Sequence, residues 1–251
     1  RDSDAVLVIT ESEAAEIVNA VKPDLPHIRS EYYYTVSGEH PGYMDYQALK
    51  VGSKDSEPEE IKIHQDDPVN IIYSSGTTGL PKGIVHTHYI RGLYCSTFAS
   101  SWRMTPESIC LHTVSVIFNG AFMLMLPAMY LGSTFIFGRH LDGPQLVELI
   151  EKEKITHATT VPAQIIAILN APNFSPKALS SIEAICCMGA PLHKKHKEMW
   201  DRQLSGTFYE AYGLTEGFFT VLDKYDYEKK PDSVGCPTPF SDIKIVDDQG
   251  Q

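Results

Sequence analysis

An α/β fold, with layered β-sheets flanked by helices, is what this sequence predicts, and three observations carry that reading. Short apolar runs of strand length alternate with stretches of helical spacing along most of the chain. The composition is that of an ordinary globular protein, with 251 residues, 43% hydrophobic and 21% charged, enough for one large domain or two small ones. The chain also has no internal repeat and no unbroken apolar stretch of membrane-spanning length.

Residues 5–10 (AVLVIT) read as a short buried strand, and residues 11–21 follow with Ala14, Ile17, Val18 and Val21 at helical spacing. Tyr32, Tyr33 and Tyr34 read as an edge strand, and residues 37–60, rich in Gly, Ser, Pro and acids, as loop. Residues 69–73 (VNIIY) form a second buried strand that runs straight into a loop of hydroxyl residues and glycines. A short strand at 84–86 and a helix at 89–101 come next. The apolar stretch from Ala121 to Phe137 is interrupted by Pro127, Gly132 and Ser133, and reads as a buried helix followed by a strand at 133–137. Beyond it, helix 143–153 buries Leu146, Val147, Leu149 and Ile150; strand 156–161 leads to helix 162–170 with Pro162 in its first turn. Strand 182–188, a polar helix at 191–203, strand 208–212 and a last strand at 243–246 complete the alternation.

The charge balance, 21 Lys and Arg against 32 Asp and Glu, gives −11 at neutral pH. Such a chain has no electrostatic footprint for nucleic acid or an anionic membrane. An anionic ligand would need a local device that overcomes the repulsive field. The cysteines are five, an odd number, irregularly spaced and without a CxxC pair, which suits a reducing, cytoplasmic compartment and argues against a disulfide framework or a zinc site.

The local anion device is residues 73–83, YSSGTTGLPKG. It carries the hydroxyls of Ser74, Ser75, Thr77 and Thr78, the glycines Gly76, Gly79 and Gly83, and Lys82. Glycines let the backbone N–H groups approach an anion, hydroxyls donate to phosphate oxygens, and the lysine supplies a point charge. A flexible linker would not sit against a buried strand or carry Pro-Lys-Gly. The P-loop of kinases and GTPases fails on spacing, because Gly76 and Gly79 are three apart and Lys82 precedes Gly83 rather than Ser or Thr.

YSSGTTGLPKG resembles the signature loop of the adenylate-forming superfamily, which includes acyl- and aryl-CoA synthetases, peptide-synthetase adenylation domains and beetle luciferases. Two further segments follow in the order that family shows. Gly189-Ala190-Pro191, behind a strand, resembles the segment beside the adenine, and residues 209–216, YEAYGLTE, resemble the second strong motif. The resemblance implies nucleotide contacts from Ser74, Ser75, Gly76, Thr77, Thr78, Gly79 and Lys82, from Gly189, Ala190 and Pro191, and from Glu210, Ala211, Tyr212, Gly213 and Thr215. Tyr212 would stack on adenine, Thr215 would contact the α phosphate, and Glu216 would help hold Mg2+. Lys82, Thr215 and Glu216 are the residues it implies in catalysis. An apolar acid pocket is expected from Ile117, Phe118, Gly120, Phe218 and Phe219, with Ile117 standing where many members have a histidine.

The implied reaction joins an aliphatic or aromatic carboxylic acid to AMP from ATP and then passes the acyl group to a thiol, coenzyme A. The implied organisation is the end of a first α/β subdomain and linker over 1–65, the phosphate loop and a second α/β subdomain over 66–205, and a return to the first subdomain over 206–251. The family's ribose-binding aspartate and its mobile C-terminal domain are not found in these 251 residues, so the stretch alone is expected to be inactive. A non-catalytic nucleotide-binding module, a peptide-synthetase adenylation domain and a luciferase-like oxidative enzyme remain open alternatives. Other features have plainer readings. His193 and His196, interleaved with Lys194, Lys195 and Lys197, read as a solvated helix face rather than a metal site. His112 and His157 read as satisfied interior histidines, and Cys186 and Cys187 as inert buried thiols.

Overall fold

The computed structural model describes residues 2–75, 79–139 and 141–251. The chain divides into two compact units, Arg1–Ile63 and His64–Gln251.

In the first unit, strands β1 (Val8–Thr10), β2 (Tyr33–Thr35) and β3 (Met44–Asp45) pair in parallel in that order, with helices α1 (Ala15–Val21) and α2 (Tyr46–Gly52). The tyrosine strand expected at an edge is therefore the central one, and Tyr32 belongs to the turn before it. Its position follows from the parallel pairing on both sides, which buries Tyr33 against the edge of Tyr43, with ring centroids 5.9 Å apart. The Lys22 ammonium sits 3.7 Å from the Tyr43 ring centre, a cation–π contact. The expected loop at 37–60 contains α2, capped by Asp45, whose carboxylate accepts from the Gln47 N–H at 2.9 Å. Seven residues are too few for a periodic signal to show.

The second unit opens with an antiparallel hairpin of β4 (Pro68–Ser74) and β5 (Lys82–Thr87), registered so that Ser74 faces Lys82 and Tyr73 faces Gly83. Strand β4 was expected to be buried, but Val69, Ile71 and Tyr73 are more than two-fifths exposed and only Ile72 is buried. A two-stranded ribbon has one covered face, so its side chains alternate. Gly83 fits a close approach, because a Cβ there would lie 3.1 Å from the Tyr73 ring and from the Ile71 side chain.

Beyond the hairpin come α3 (His88–Ser101), β6 (Ile109–His112), α4 (Asn119–Leu131), β7 (Thr134–Phe137), α5 (Gly143–Glu153), β8 (His157–Thr160), α6 (Pro162–Leu169), β9 (Ala184–Cys187), α7 (Lys194–Gln203), β10 (Phe208–Gly213), β11 (Phe219–Leu222), α8 (Lys224–Tyr227) and β12 (Cys236–Pro237). The strands from β6 onward form a seven-stranded sheet in the order β12-β11-β10-β9-β8-β6-β7. Strands β7, β6, β8, β9 and β10 are parallel, and β11 and β12 add antiparallel pairings. Strand β10 pairs in parallel with β9 and so extends the sheet formed by the strands before it. The expected strand at 243–246 is extended chain without a ladder, with Ile245 94% exposed; no neighbouring strand takes its backbone groups among the described residues.

The sheet is covered on both faces, as parallel sheets require. Alternate residues separate into two cores. Leu111, Ala158, Ile185, Cys187 and Phe208 pack with Leu146, Ile150, Ile165, Ile168 and Trp200 of α5, α6 and α7. Cys110, Ala184, Cys186, Tyr209 and Ala211 pack with Tyr94, Phe98, Met123 and Leu124 of α3 and α4. Helix α5 starts in a capping box between Asp142 and Gln145. Its Gly143 lets α6 approach, since a Cβ there would stand 2.3 Å from the Ala167 carbonyl oxygen. Helix α4 ends at Gly132 with φ +72°, a left-handed cap. Among the described residues no helix is long and apolar enough to cross a membrane.

The strand order reverses beside β6: the chain steps to β7 on one side, then to β8, β9 and β10 on the other. In open α/β sheets ligands bind outside the carboxyl ends of strands at such a switch point.

Candidate active site

At that place lies a cavity of about 900 Å3, walled by the carboxyl ends of β6, β8, β9 and β10, the start of α4 and the loop end of the β4–β5 hairpin. Most of the sequence-predicted residues converge there. Ser74, Ser75 and Lys82 come from the hairpin; Gly189 and Ala190 from the turn after β9; Ala211, Gly213, Thr215 and Glu216 from β10 and the turn to β11; Phe118, Gly120 and Phe219 from the expected acid pocket. Gly76, Thr77 and Thr78 lie outside the described residues.

The turn carrying Thr215 and Glu216 is built on crowding. A Cβ on Gly213 would lie 2.3 Å from the Phe219 ring and 2.5 Å from the Phe218 carbonyl oxygen, and Gly217 has φ +126°. The turn is tied to the hairpin by His86, whose Nε2–H donates to the Thr215 carbonyl oxygen at 2.9 Å. Burial, reinforced by the nearby Arg91 guanidinium, holds the His86 imidazole below its ordinary pKa. Its proton is therefore committed to Thr215. The opposite wall is held by Arg91, which donates to Asn70 and to Asn119, each at 2.9 Å; Asn119 in turn donates to the Tyr94 hydroxyl at 2.9 Å. This network anchors the first residue of α4 under the hairpin.

Several of the expected residues stand outside the cavity wall. Glu210 is buried and does not line the cavity: it accepts from the Leu192 N–H at 3.1 Å and forms an ion pair with Lys197. It braces the turn after β9. Lys197, expected on a solvated face, is buried, and also donates to the Pro231 carbonyl at 3.3 Å. Gly79, Pro191 and Tyr212 are outside the cavity wall, as are Ile117 and Phe218. Ile117 is 68% exposed, because the turn before α4 directs Phe118, not Ile117, to the cavity. Tyr212 packs edge-on to Phe218 with centroids 5.8 Å apart.

The sequence reading missed His112, Asn119, Met123, Thr159, Thr160 and Met188, all cavity-lining. The signal that could have found them is positional, since they stand at strand ends and at a helix start around the switch point. His157 is satisfied as expected, bonded to the Trp102 carbonyl and the Thr156 hydroxyl. The His112 Nδ1 is bonded to the Thr159 hydroxyl at 2.7 Å. Burial pushes the Cys110 thiol up to about 11 and Cys187 to about 12, and raises Cys186 well above the ordinary thiol value, so these thiols are inert at neutral pH.

A family model for AMP-binding enzymes matches residues 1–251. The chain belongs to the AMP-binding enzyme family. A feruloyl-CoA synthase from an Amycolatopsis species is 28% identical over 208 residues, 81% of this chain and 42% of that protein. A 4-coumarate–CoA ligase-like protein of Arabidopsis thaliana is 30% identical over 198 residues, 76% of this chain and 35% of its own. The chain thus spans less than half the length of these relatives. Among solved structures, the anthranilate CoA ligase AuaEII in complex with anthranoyl-AMP superposes with a TM-score of 0.86 at 23% identity, covering 100% of this chain and 49% of that one. The N-terminal domain of FACL13 from Mycobacterium tuberculosis gives 0.84 at 23% identity, covering 100% and 61%. These last two likenesses establish the shared fold. Adenylate-forming enzymes use ATP and produce AMP, and this family supplies the frame for the site.

Proposed function

We propose that the protein containing this chain is an AMP-forming acid–thiol ligase. It joins an apolar, aryl or aliphatic carboxylic acid to the AMP moiety of ATP with release of pyrophosphate, then transfers the acyl group to coenzyme A. The observation that carries this reading is the meeting of Ser74, Ser75 and Lys82 with Thr215 and Glu216 around one cavity whose α4 side is apolar. The names of the relatives, ferulate and coumarate ligases, support an aryl acid and coenzyme A.

Ser74 and Ser75 donate to the β and γ phosphate oxygens, with Gly76, Thr77 and Thr78 completing the loop, and Lys82 balances their charge. One carboxylate oxygen of the acid attacks the α phosphorus, and the bond to pyrophosphate breaks. Thr215 orients the α phosphate, and its backbone is held in place by His86. Glu216 offers a carboxylate to Mg2+, which would fill its remaining positions with phosphate oxygens and water. Among the described residues no cluster of three acidic, His or Cys ligands stands ready to hold a metal alone, which fits an ion that arrives with ATP. Tyr212, half exposed beside the cavity, offers a ring face to adenine.

ATP–pyrophosphate exchange by the full-length protein, across aliphatic and aromatic acids, tests this. Exchange with one acid class is expected, reduced about 100-fold or more in Lys82→Ala, as for loss of one preorganised charge contact at a developing anion. ATP binding without exchange for any acid would instead establish a nucleotide-binding module.

A further inference from the structure

Arg91 stands on α3 with 5% of its surface exposed. Its guanidinium reaches in two directions. The Nε–H donates to Asn70 Oδ1 on β4, the strand that ends at Ser74, and an Nη1–H donates to Asn119 Oδ1 at the start of α4, each at 2.9 Å. The Phe122 ring of α4 and the Tyr94 ring of α3 pack on the guanidinium carbon, with centroids 4.1 and 4.9 Å away. The Asn119 amide in turn donates to the Tyr94 hydroxyl at 2.9 Å. These neighbours are all neutral, and among the described residues no carboxylate forms an ion pair with Arg91.

Burying a cation among neutral groups is costly, and an apolar side chain of similar volume would fill the same space without that penalty. A contact that served packing alone would not call for a guanidinium. What the guanidinium does, and a methionine could not, is bond two elements at once through donors in a fixed fork. The two elements are the two sides of the cavity. Strand β4 leads to Ser74 and Ser75, where the ligase reading puts the phosphates; α4 supplies Asn119, Gly120, Ala121 and Met123 on the side where that reading puts the acid. Asn119 itself lines the cavity, whereas Arg91 and Asn70 stand behind the wall. We propose that Arg91 is a positioning residue for adenylation: by clamping β4 to the first residue of α4, it fixes the distance between the acid's carboxylate and the α phosphorus. This rests on the ligase reading above and deepens it. Attack needs the reacting atoms about 3–3.5 Å apart and aligned, and a displacement of about 1 Å lowers the rate on the order of 100-fold. Binding of either substrate by itself needs no such alignment. The clamp therefore acts on the rate of attack and leaves each affinity nearly unchanged.

The test uses the full-length protein, with ATP and the acid that supports ATP–pyrophosphate exchange best as probes. Arg91→Met is expected to lower kcat of exchange about 100-fold, while the dissociation constants of ATP alone and of the acid alone, read by calorimetry, stay within about 3-fold of native. Retained ATP binding also shows that the variant folds. Arg91→Lys, which keeps the charge and loses the fork, should fall between Arg91→Met and the native protein. Asn70→Ala removes one arm of the clamp away from the cavity wall and should lower kcat about 10-fold; adding it to Arg91→Met should lower kcat no further, since both break the same clamp. Asn70→Ala carries the test by itself if Arg91→Met does not fold. A native kcat in either variant at saturating ATP and acid, so that affinity alone is lost, overturns the inference and leaves the ligase reading standing. So does a full further loss in the double variant. Absence of exchange by the native protein with every acid overturns the ligase reading and this inference with it.

Discussion

His86 performs no chemistry on a substrate, yet its one N–H sets where Thr215 stands. Replacing it with Leu leaves the Thr215 carbonyl without that partner, at a cost of about 1–3 kcal/mol. The turn that carries Thr215 and Glu216 would then lose its link to the hairpin that carries Lys82. In the full-length ligase the expected result is a KM for ATP about 10-fold higher in His86→Leu, partly restored in His86→Gln, whose amide can still donate. A loss of thermal stability with an unchanged KM would show that the bond is structural alone. Residues of this kind have no motif, because what matters is a contact across 129 positions of sequence.

At the scale of elements, the brace between α7 and β10 has no counterpart in the motif reading. Glu210 reads, in YEAYGLTE, as part of the nucleotide segment, and Lys197 as one lysine of a charged helix. The fold turns both inward and pairs them, with the Leu192 N–H completing the carboxylate. Breaking a buried pair strands a charge. Lys197→Met is therefore expected to cost about 3–5 kcal/mol, whereas Lys197→Met with Glu210→Gln should recover much of that loss. Denaturant midpoints for the two single variants and the double variant measure the coupling; additive losses would refute it. The turn after β9, with Gly189 and Ala190 in the cavity wall, hangs on the same carboxylate, so the cost at the brace is a cost at the site.

For the whole molecule, three nearly inaccessible histidines, His86, His112 and His157, share the second unit, and burial is the leading cause that lowers each below the ordinary value of 6.5. In the unfolded chain they take up protons as pH falls through about 6.5. In the folded chain they resist until the lowered values are reached. The unfolded state thus binds more protons in that window, and their stabilising contribution, fully present above 6.5, is lost progressively on acidification. Melting temperatures at pH 7.5, 6.5 and 5.5 should fall over the last interval, before carboxylates titrate, and fall less in His157→Gln. A flat profile would show that these imidazoles are protonated as readily folded as unfolded.

What the sequence by itself determined is whatever the chemistry keeps contiguous. A phosphate-binding loop must gather glycines, hydroxyls and a lysine within a few residues, so Ser74, Ser75 and Lys82 were legible, as were Thr215 and Glu216. Helices such as Gly143–Glu153 were legible because three turns of apolar spacing exceed noise. Tertiary structure alone decided the rest. Parallel pairing put Tyr33–Thr35 in the middle of its sheet and joined β10 to β9. It also set His112 beside Thr159, in register across neighbouring strands but 47 residues apart. Strand register, burial of a charge and the lining of a cavity depend on which distant residues share a face, and no local pattern encodes that.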